Sequence, residues 1–393
     1  MSIPSHYDLI VVGAGFYGLT IAHQIATRLG KKVLVLERRN HIGGNAHSIR
    51  DSATDIETHV YGSHLFHCNS EDIWNYLNSF TPFTHYQHHV LTHHKGKIYS
   101  MPINLGTLCN FVGKSLTPDE ARSYIDNQRG TLKAEFANNL EDKAIALIGR
   151  PLYEAFIRGY TAKQWQTDPC QLPPEIITRL PVRFNHNTRY FDDRFEGLPS
   201  EGYFTLFQRM VDHADIHVMM ATDFFKIRSE LKKEIPVIYS GPIDRYFDYS
   251  LGPLSWRTLD FERDIVSTAD YQGNSVINYA DEDVPYTRIH EFRHLHPERN
   301  YQSQKTVIAR EYSRFAQRQD EPYYPVNALK DKDLLEAYRQ RASLEDNILF
   351  GGRLGSYRYL DMHQAIGAAF KLVENRLIPY FRDKRPLARD DNF

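Results

Sequence analysis

The chain has 393 residues, enough to bury a large core and to form two or three domains. Its formal net charge of −2 excludes bulk electrostatic attraction to nucleic acid or to an anionic membrane. With 41% apolar residues, a mean hydropathy of −0.52 and no apolar run of transmembrane length, no membrane insertion is expected.

The N-terminus shows no basic region ahead of an apolar signal core. The first predicted element is the apolar run Leu9 to Val12, read as a buried parallel strand. Gly13-x-Gly15-x-x-Gly18 follows at once, and Leu19-Thr20-Ile21-Ala22 takes up helical spacing. That order is the dinucleotide fingerprint. Its first glycine makes the tight turn, its second lets backbone approach a pyrophosphate, and its third lets helix and strand pack closely. A second strand, Lys32 to Leu36, ends in Glu37, nineteen positions beyond Gly18, where an acid accepts hydrogen bonds from ribose hydroxyls. The next residues, Arg38-Arg39-Asn40-His41-Ile42-Gly43-Gly44-Asn45-Ala46, continue the pattern as E-x-R-x-x-x-G-G. This resembles flavoproteins of the amine-oxidase and glutathione-reductase type. No second GxGxxG is present for a nicotinamide dinucleotide, so FAD is the expected cofactor.

Further along, Asn69-Ser70-Glu71-Asp72 predicts a helix start, with Ile73, Trp74, Leu77 and Phe80 as its apolar face. Val90-Leu91-Thr92 and Ile98-Tyr99-Ser100-Met101 predict a hairpin around Lys95-Gly96. Thr117-Pro118-Asp119-Glu120 combines a capping box with proline at the first helical position and opens a helical stretch reaching about Ile148. Another helix begins at Pro151, so residues 105–159 form a helical insertion. Pro169, Pro173, Pro174 and Pro181 make the stretch 166–198 irregular. A helix at Tyr203 to Asp212 and strands at Ile216 to Met220 and Val237 to Tyr239 return to the first domain. Segments Thr258 to Val266, Ser275 to Tyr279, Ile289 to His296 and Lys305 to Tyr312 alternate as half-buried antiparallel strands. Ile348-Leu349-Phe350, Gly351-Gly352-Arg353 and the helix opened by Asp361-Met362-His363 close the chain with another strand–turn–helix.

The three cysteines, Cys68, Cys109 and Cys170, are isolated and odd in number, which points to a reducing cytoplasm without disulfides. Histidine is abundant, but His88 and His89 face opposite ways on a strand, and His93 and His94 flank a turn. His290, His294 and His296 share a strand face without a fourth ligand, so no metal is expected.

Phe156 and Tyr160 stand four apart on one helix, a spacing that suits core packing and base stacking equally. Thr161-Ala162-Lys163-Gln164-Trp165 follows with polar and aromatic groups at a helix end. Arg179 in the proline loop and Arg288 after Pro285-Tyr286-Thr287 offer planar forks suited to diphosphate oxygens. Tyr323-Tyr324 and Tyr357-x-Tyr359 add hydroxyl donors.

The motifs GAGFYGLTIA, GGNAHS, YGSHLFH, LIGRPLYEAFIRGYTAKQWQTDP, ITRLPVRF, YSGPIDRYFDY, VPYTRIHEFRH, DEPYYPV and GGRLGSYRYLDMHQAI run in one order through nearly the whole chain. Together they resemble the UDP-galactopyranose mutase family, in its actinobacterial form. The resemblance implies an FAD enzyme, commonly a homodimer and cytoplasmic, that interconverts UDP-galactopyranose and UDP-galactofuranose without net oxidation and supplies galactofuranose for cell-surface glycans. It implies attack of the reduced flavin N5 on the sugar C1. By position, Arg179 and Arg288 match the arginines that bind the substrate diphosphate, and Tyr190, Tyr324 and Tyr359 their tyrosine partners. Phe156 and Tyr160 match the uracil-stacking aromatics, with Thr161 beside them, and Trp165 and Asn278 match residues near the sugar and diphosphate. His64 matches a histidine beside the flavin, and Arg353 an arginine that contacts it. The fingerprint glycines, Glu37, Arg38, Gly43, Gly44 and Asn45, with Asp361 and Met362 at the last helix, are implied to hold the cofactor. The proline loop resembles a mobile lid. Ser63, where many relatives carry proline, and His186-Asn187, in a stretch often richer in acid, depart from the pattern.

The expected fold is α/β: a Rossmann-like FAD-binding domain from residues 1–85, 200–245 and 320–393, a helical domain at 105–165, and an antiparallel-sheet substrate domain from 86–104, 166–199 and 246–319. Two rivals use fewer of these motifs. An FAD-dependent oxidoreductase of the amine-oxidase type needs only Gly13 to Gly44, and a flavoprotein-like fold without chemistry would bind a protein instead.

Overall fold

The computed structural model describes residues 6–131, 133–177 and 182–387. Its first sheet has five parallel strands in the order Ile348–Phe350, Val237–Tyr239, Leu9–Val12, Val33–Leu36 and Ile216–Met219. Leu9–Val12 lies at the centre and reads as one apolar run because both sheet faces are covered. The helix Phe16–Leu29 covers one face together with Met362–Leu372 and Gly202–Val211. Tyr239, Tyr246, Phe350 and Tyr338 build the core on the other.

The turn after the central strand is set by close backbone approach. Gly13 has φ +104°, and a Cβ there would lie 2.2 Å from the Ser240 Oγ. A Cβ on Gly18 would lie 2.0 Å from the Gly13 carbonyl oxygen and 2.9 Å from Val11. Ser240 Oγ donates to the Val12 carbonyl at 2.6 Å, which links this turn to the end of the neighbouring strand.

The second sheet has seven strands in the order Tyr324–Pro325, Trp256–Val266, Thr306–Phe315, Arg288–Glu291, Val276–Tyr279, Val90–His94 and Lys97–Met101. All its pairings are antiparallel except one, a correction to the sequence expectation. Val276–Tyr279 runs parallel to Val90–His94, because the expected hairpin adds to the sheet by its first strand, from far upstream. The predicted strand at Ile289 to His296 is also shorter. Glu291 N–H donates to the Ser275 carbonyl at the start of one partner strand, and beyond that point the ladder on that side ends. Phe292–Leu295 therefore forms a 3-10 turn, and His290, His294 and His296 do not share a strand face. His290 meets Glu311, His294 meets Asp270 and Glu291, and His296 meets Glu298.

The helical stretch is likewise broken into pieces. Pro118–Gln128 has the expected capping box from Thr117 and Glu120, but Gly130 at φ +72° turns the chain before the next helix, Leu140–Ile148. The run Arg150–Tyr153 passes through a wide π turn at Glu154–Arg158 into Gly159–Trp165. These helices enclose a separate core around Leu108, Ile125, Ile148, Tyr153 and Phe156.

Replacing Gly18 by alanine overpacks the turn and is expected to destabilise the protein by about 1–3 kcal/mol. It also weakens cofactor retention. Denaturant unfolding, with cofactor content measured on the folded fraction, checks both effects.

Candidate active site

At the carboxyl ends of the parallel strands, where open α/β sheets bind ligands, a cavity of about 550 Å³ runs from the glycine turn to the second sheet. Gly13, Gly15 and Gly18 form its floor at one end, and Glu37, Arg38 and Asn45 its wall. Gly15 is the N-cap of the helix Phe16–Leu29, which has no side-chain cap and no acid in its first turn. Its first amides are thus uncommitted, the arrangement that receives phosphate. Gly43 and Gly44 pass over this turn, where a Cβ on Gly44 would lie 3.2 Å from the Gly15 Cα. Glu37 is buried and braces the turn, accepting from the Ala14 and Arg39 amides at 2.8 Å each.

Arg38 and Arg39 both reach Glu321, at 2.6 and 2.7 Å. Arg39 also donates to Asn45 and lies over the Tyr61 ring. Glu321 begins the segment whose Pro322 and Tyr323 carbonyls accept from Arg353. Arg353 has no carboxylate partner among the described residues, and burial pulls its pKa down. Asp361 and Met362 line the same end, where Asp361 caps the helix Met362–Leu372 with Gln364. His64 donates from Nδ1 to the Gly62 carbonyl at 2.8 Å, and burial lowers its pKa to about 4. It is therefore neutral at pH 7, with its Nε2 lone pair available.

Toward the second sheet the wall changes to Tyr160, Tyr190, Asn278, Arg288, Tyr324 and Tyr359. Arg288 donates to the Tyr160 hydroxyl. Behind it lies Glu311, fully covered by protein, with its carboxylate 3.3 Å from the Arg288 Nε. The register of the sheet puts the two opposite each other. Glu311 also accepts from Thr287 Oγ1 at 3.2 Å and lies 3.0 Å from His290, whose other ring nitrogen meets the Ser63 hydroxyl at 2.8 Å. Burial opposes the Glu311 charge, but Arg288, His290 and Thr287 together hold its pKa at about 2. Glu311 and the two tyrosines raise that of Arg288. Burial and the Arg288 charge depress His88 to about 3, and burial lifts Tyr324 to about 12. At neutral pH this end presents the Arg288–Glu311 ion pair beside the neutral His88 imidazole and the neutral Tyr324 phenol. The Asn278 Oδ1 is buried without a partner.

The structure thus gathers most of the residues expected from the sequence, with four exceptions. Phe156 is buried in the helical core against Tyr99 and Phe111, with ring centroids 5.0 and 5.5 Å away. Thr161 is buried, and Trp165 is half-buried at the helix end. None of these three lines the cavity. Arg179 lies outside the described residues.

Sequence reasoning missed Glu311, His290 and Glu321. Glu311 sits at an ordinary alternating position in its strand, and only the sheet register reveals its partner. Glu321, an acid ahead of Pro322, offered a faint signal. Among the described residues, two groups bring three metal-type ligands within 4.8 Å: His67, Asp361 and His363 in the cleft, and Asp270, Glu291 and His294 outside it. Several of their donors already have partners: His67 pairs with Asp193 at 2.5 Å, and Glu291 accepts from the Tyr271 and Gln272 amides, whereas the His363 Nδ1 is buried without a hydrogen-bond partner.

A Rossmann-like sheet with an uncapped helix at its glycine turn, and a cleft leading to a half-buried arginine among tyrosines, is the arrangement of a flavoprotein-type fold. A family model described as UDP-galactopyranose mutase matches residues 155–359, and one described as an NAD(P)-binding Rossmann-like domain matches residues 11–80. A probable UDP-galactopyranose mutase of Klebsiella pneumoniae is 42% identical over 94% of both chains. A dTDP-fucopyranose mutase of Escherichia coli is 40% identical over 93% of this chain and 97% of its own. A crystal structure of reduced UDP-galactopyranose mutase shares the fold, with a TM-score of 0.69 at 15% identity over 95% of both chains. The chain belongs to the UDP-galactopyranose mutase family and is an isomerase.

Glu311→Gln leaves the half-buried Arg288 charge without its counter-ion, which is expected to cost about 3 kcal/mol, the low end for breaking a buried pair. The Glu311 pKa is depressed from an ordinary 4.5 to about 2, so its contribution is complete above pH 4.5 and fades as pH falls toward 2. Unfolding curves of the wild type and the variant should therefore diverge at neutral pH and converge between pH 4.5 and 2.

Proposed function

We propose that the cleft holds FAD and a UDP-sugar side by side and interconverts UDP-galactopyranose and UDP-galactofuranose with no net oxidation. The observation that carries this reading is the continuity of one cavity from the uncapped helix to Arg288. When bound and reduced, FAD supplies the nucleophile, its N5, that displaces UDP from the sugar C1.

The chain's own residues do the rest. The amides after Gly15 and the glycines of both turns receive the cofactor pyrophosphate, and Glu37 and Arg38 receive its ribose end. Arg353, a half-buried cation with no carboxylate partner among the described residues, balances the added charge of the reduced ring. Arg288 clamps the diphosphate leaving group, with Glu311 stabilising its charge from behind and Tyr160, Tyr324 and Tyr359 completing the polar wall. Tyr190 and the unpartnered Asn278 Oδ1 offer hydrogen bonds to the sugar. Neutral His64 is the available proton acceptor near the flavin end.

Arg179, Phe156, Thr161 and Trp165 take part, on this reading, once the proline loop 166–181 closes over substrate. The domain boundaries, a homodimeric assembly, a cytoplasmic location and a role in galactofuranose supply for cell-surface glycans belong to the same proposal.

Chromatographic separation of UDP-sugars after incubation with the FAD-loaded protein is the test. With dithionite, UDP-galactofuranose should form from UDP-galactopyranose. Without reductant, none should form. A parallel incubation with dTDP-fucopyranose decides between the two sugar nucleotides that the named relatives handle; faster turnover of that sugar would reassign the substrate. Arg288→Ala removes charge-assisted bonds worth about 1.5–3 kcal/mol, so UDP should bind roughly ten- to 150-fold more weakly. Arg288→Lys should recover only part of that, because an ammonium lacks the fork. Unchanged UDP affinity in Arg288→Ala would remove the clamp from the account.

A further inference from the structure

Lys163 belongs to none of the groups that line the cavity, yet its surroundings are unusual for a lysine. Its ammonium donates to four backbone carbonyls of one loop: Tyr279 at 2.7 Å, Asp281 at 2.8 Å, Val284 at 2.9 Å and Tyr286 at 3.1 Å. An ammonium has three N–H groups, so a convergent set of four acceptors is the cage of a monovalent cation rather than the partner set of a surface side chain. The caged loop joins the strand that ends beside Asn278 to the strand that begins at Arg288. The helix that carries Lys163, Gly159–Trp165, also carries Tyr160, whose hydroxyl accepts from Arg288.

A second observation, independent of the lysine, fixes the same junction. Gly159 lies four residues before Lys163, hence on the same helix face. A Cβ at Gly159 would stand 2.2 Å from the Ala280 carbonyl oxygen and 3.0 Å from Glu282. The helix therefore approaches the loop as closely as backbone allows at one turn and is fastened to it by a cation at the next. From the opposite side, the Asp281 carboxylate accepts from His94 at 2.7 Å and from the Lys95 amide at 2.8 Å, so the loop does not yield to the helix.

We propose that Lys163 is a positioning residue, a built-in monovalent cation that sets the spacing between Tyr160 and Arg288 and so pre-forms the diphosphate clamp. The inference rests on the functional reading above. Lysine suits this role and arginine does not, because a planar fork does not match four convergent carbonyls. Glu282 and Asp283 on the loop, with Asp281, favour the charged ammonium; Arg158, at the end of the preceding π turn, pairs with Glu282, and His93 and His94 stand behind Asp281. Burial outweighs these acids and brings the Lys163 pKa down to about 8. The clasp is complete below that pH and loses a donor as pH rises through it. Global stability moves the other way, since a lysine held below its ordinary value favours folding on deprotonation. A fall in affinity without a fall in stability separates a positioning role from a structural one.

The experiment is calorimetric titration of UDP into FAD-loaded protein. Lys163→Ala should bind UDP about tenfold more weakly at pH 7, the loss of one charge-assisted bond, while retaining flavin. n-Propylammonium should restore affinity, whereas tetramethylammonium, a cation without N–H, should not. In the wild type, affinity should decline through about pH 8, and Asp283→Asn, an exposed change, should move that midpoint lower. Wild-type affinity that is flat from about pH 7 to 9.5, or full affinity in Lys163→Ala, would overturn the proposal; the wild-type profile decides it even if the alanine variant does not fold. Failure of the wild type to bind UDP at any pH would instead contradict the functional reading. The clasp is then judged by amide exchange, with Val284 to Thr287 expected to exchange faster in Lys163→Ala and unchanged rates counting against it.

Discussion

Everything in the cleft depends on how closely three chain crossings approach one another at the ends of the parallel strands. Gly13 faces Ser240, Gly18 faces the Gly13 carbonyl, and a Cβ on Gly351 would lie 2.0 Å from the Tyr17 hydroxyl. No side chain fits at these crossings. As a result, the amides of the helix Phe16–Leu29 open onto the cavity without a cap, and a long anionic cofactor finds a floor of backbone. Gly352 and Arg353, which follow the third crossing, line the same cavity.

The second sheet contributes a charge placed where charges are costly. Arg288 is tolerable there because Glu311 faces it across a strand pair, and Glu311 is in turn satisfied by Thr287 and His290. One side of the guanidinium is thereby committed to the protein, and its rigid orientation is the gain. Ser63 ties His290 to the turn bearing His64, so the two ends of the cleft are joined through one short stretch of backbone. Lys163 adds the lateral constraint, tying the tyrosine helix to the loop ahead of Arg288.

The legible parts of the sequence were those with local causes. The glycine spacing, the Ser70 and Thr117 caps and the Lys95-Gly96 turn each act within a few residues, and each appears in the fold where expected. The Rossmann-like turn could be read for the same reason. The buried pair of Arg288 and Glu311 could not, since it exists only through the register of two strands twenty-odd residues apart. Nor could the parallel pairing of Val90–His94 with Val276–Tyr279, which depends on which edge a distant hairpin joins. Phe156 was ambiguous because an aromatic pair at helical spacing serves a core or a ligand equally well. The described fold places it against Tyr99 and Phe111, and the wide turn at Glu154–Arg158 carries Tyr160 on to the cavity.

The central claim is that one cleft places a reduced flavin's N5 against a nucleotide-sugar whose diphosphate is clamped for departure, so the cofactor acts as a nucleophile and not as an electron carrier. Reconstitution with 5-deaza-FAD tests it most directly, because carbon replaces N5 and removes the lone pair while hydride transfer remains possible. The account predicts that the reconstituted, reduced protein binds UDP normally and forms no UDP-galactofuranose. Isomerisation at the rate of the FAD-loaded protein would contradict it.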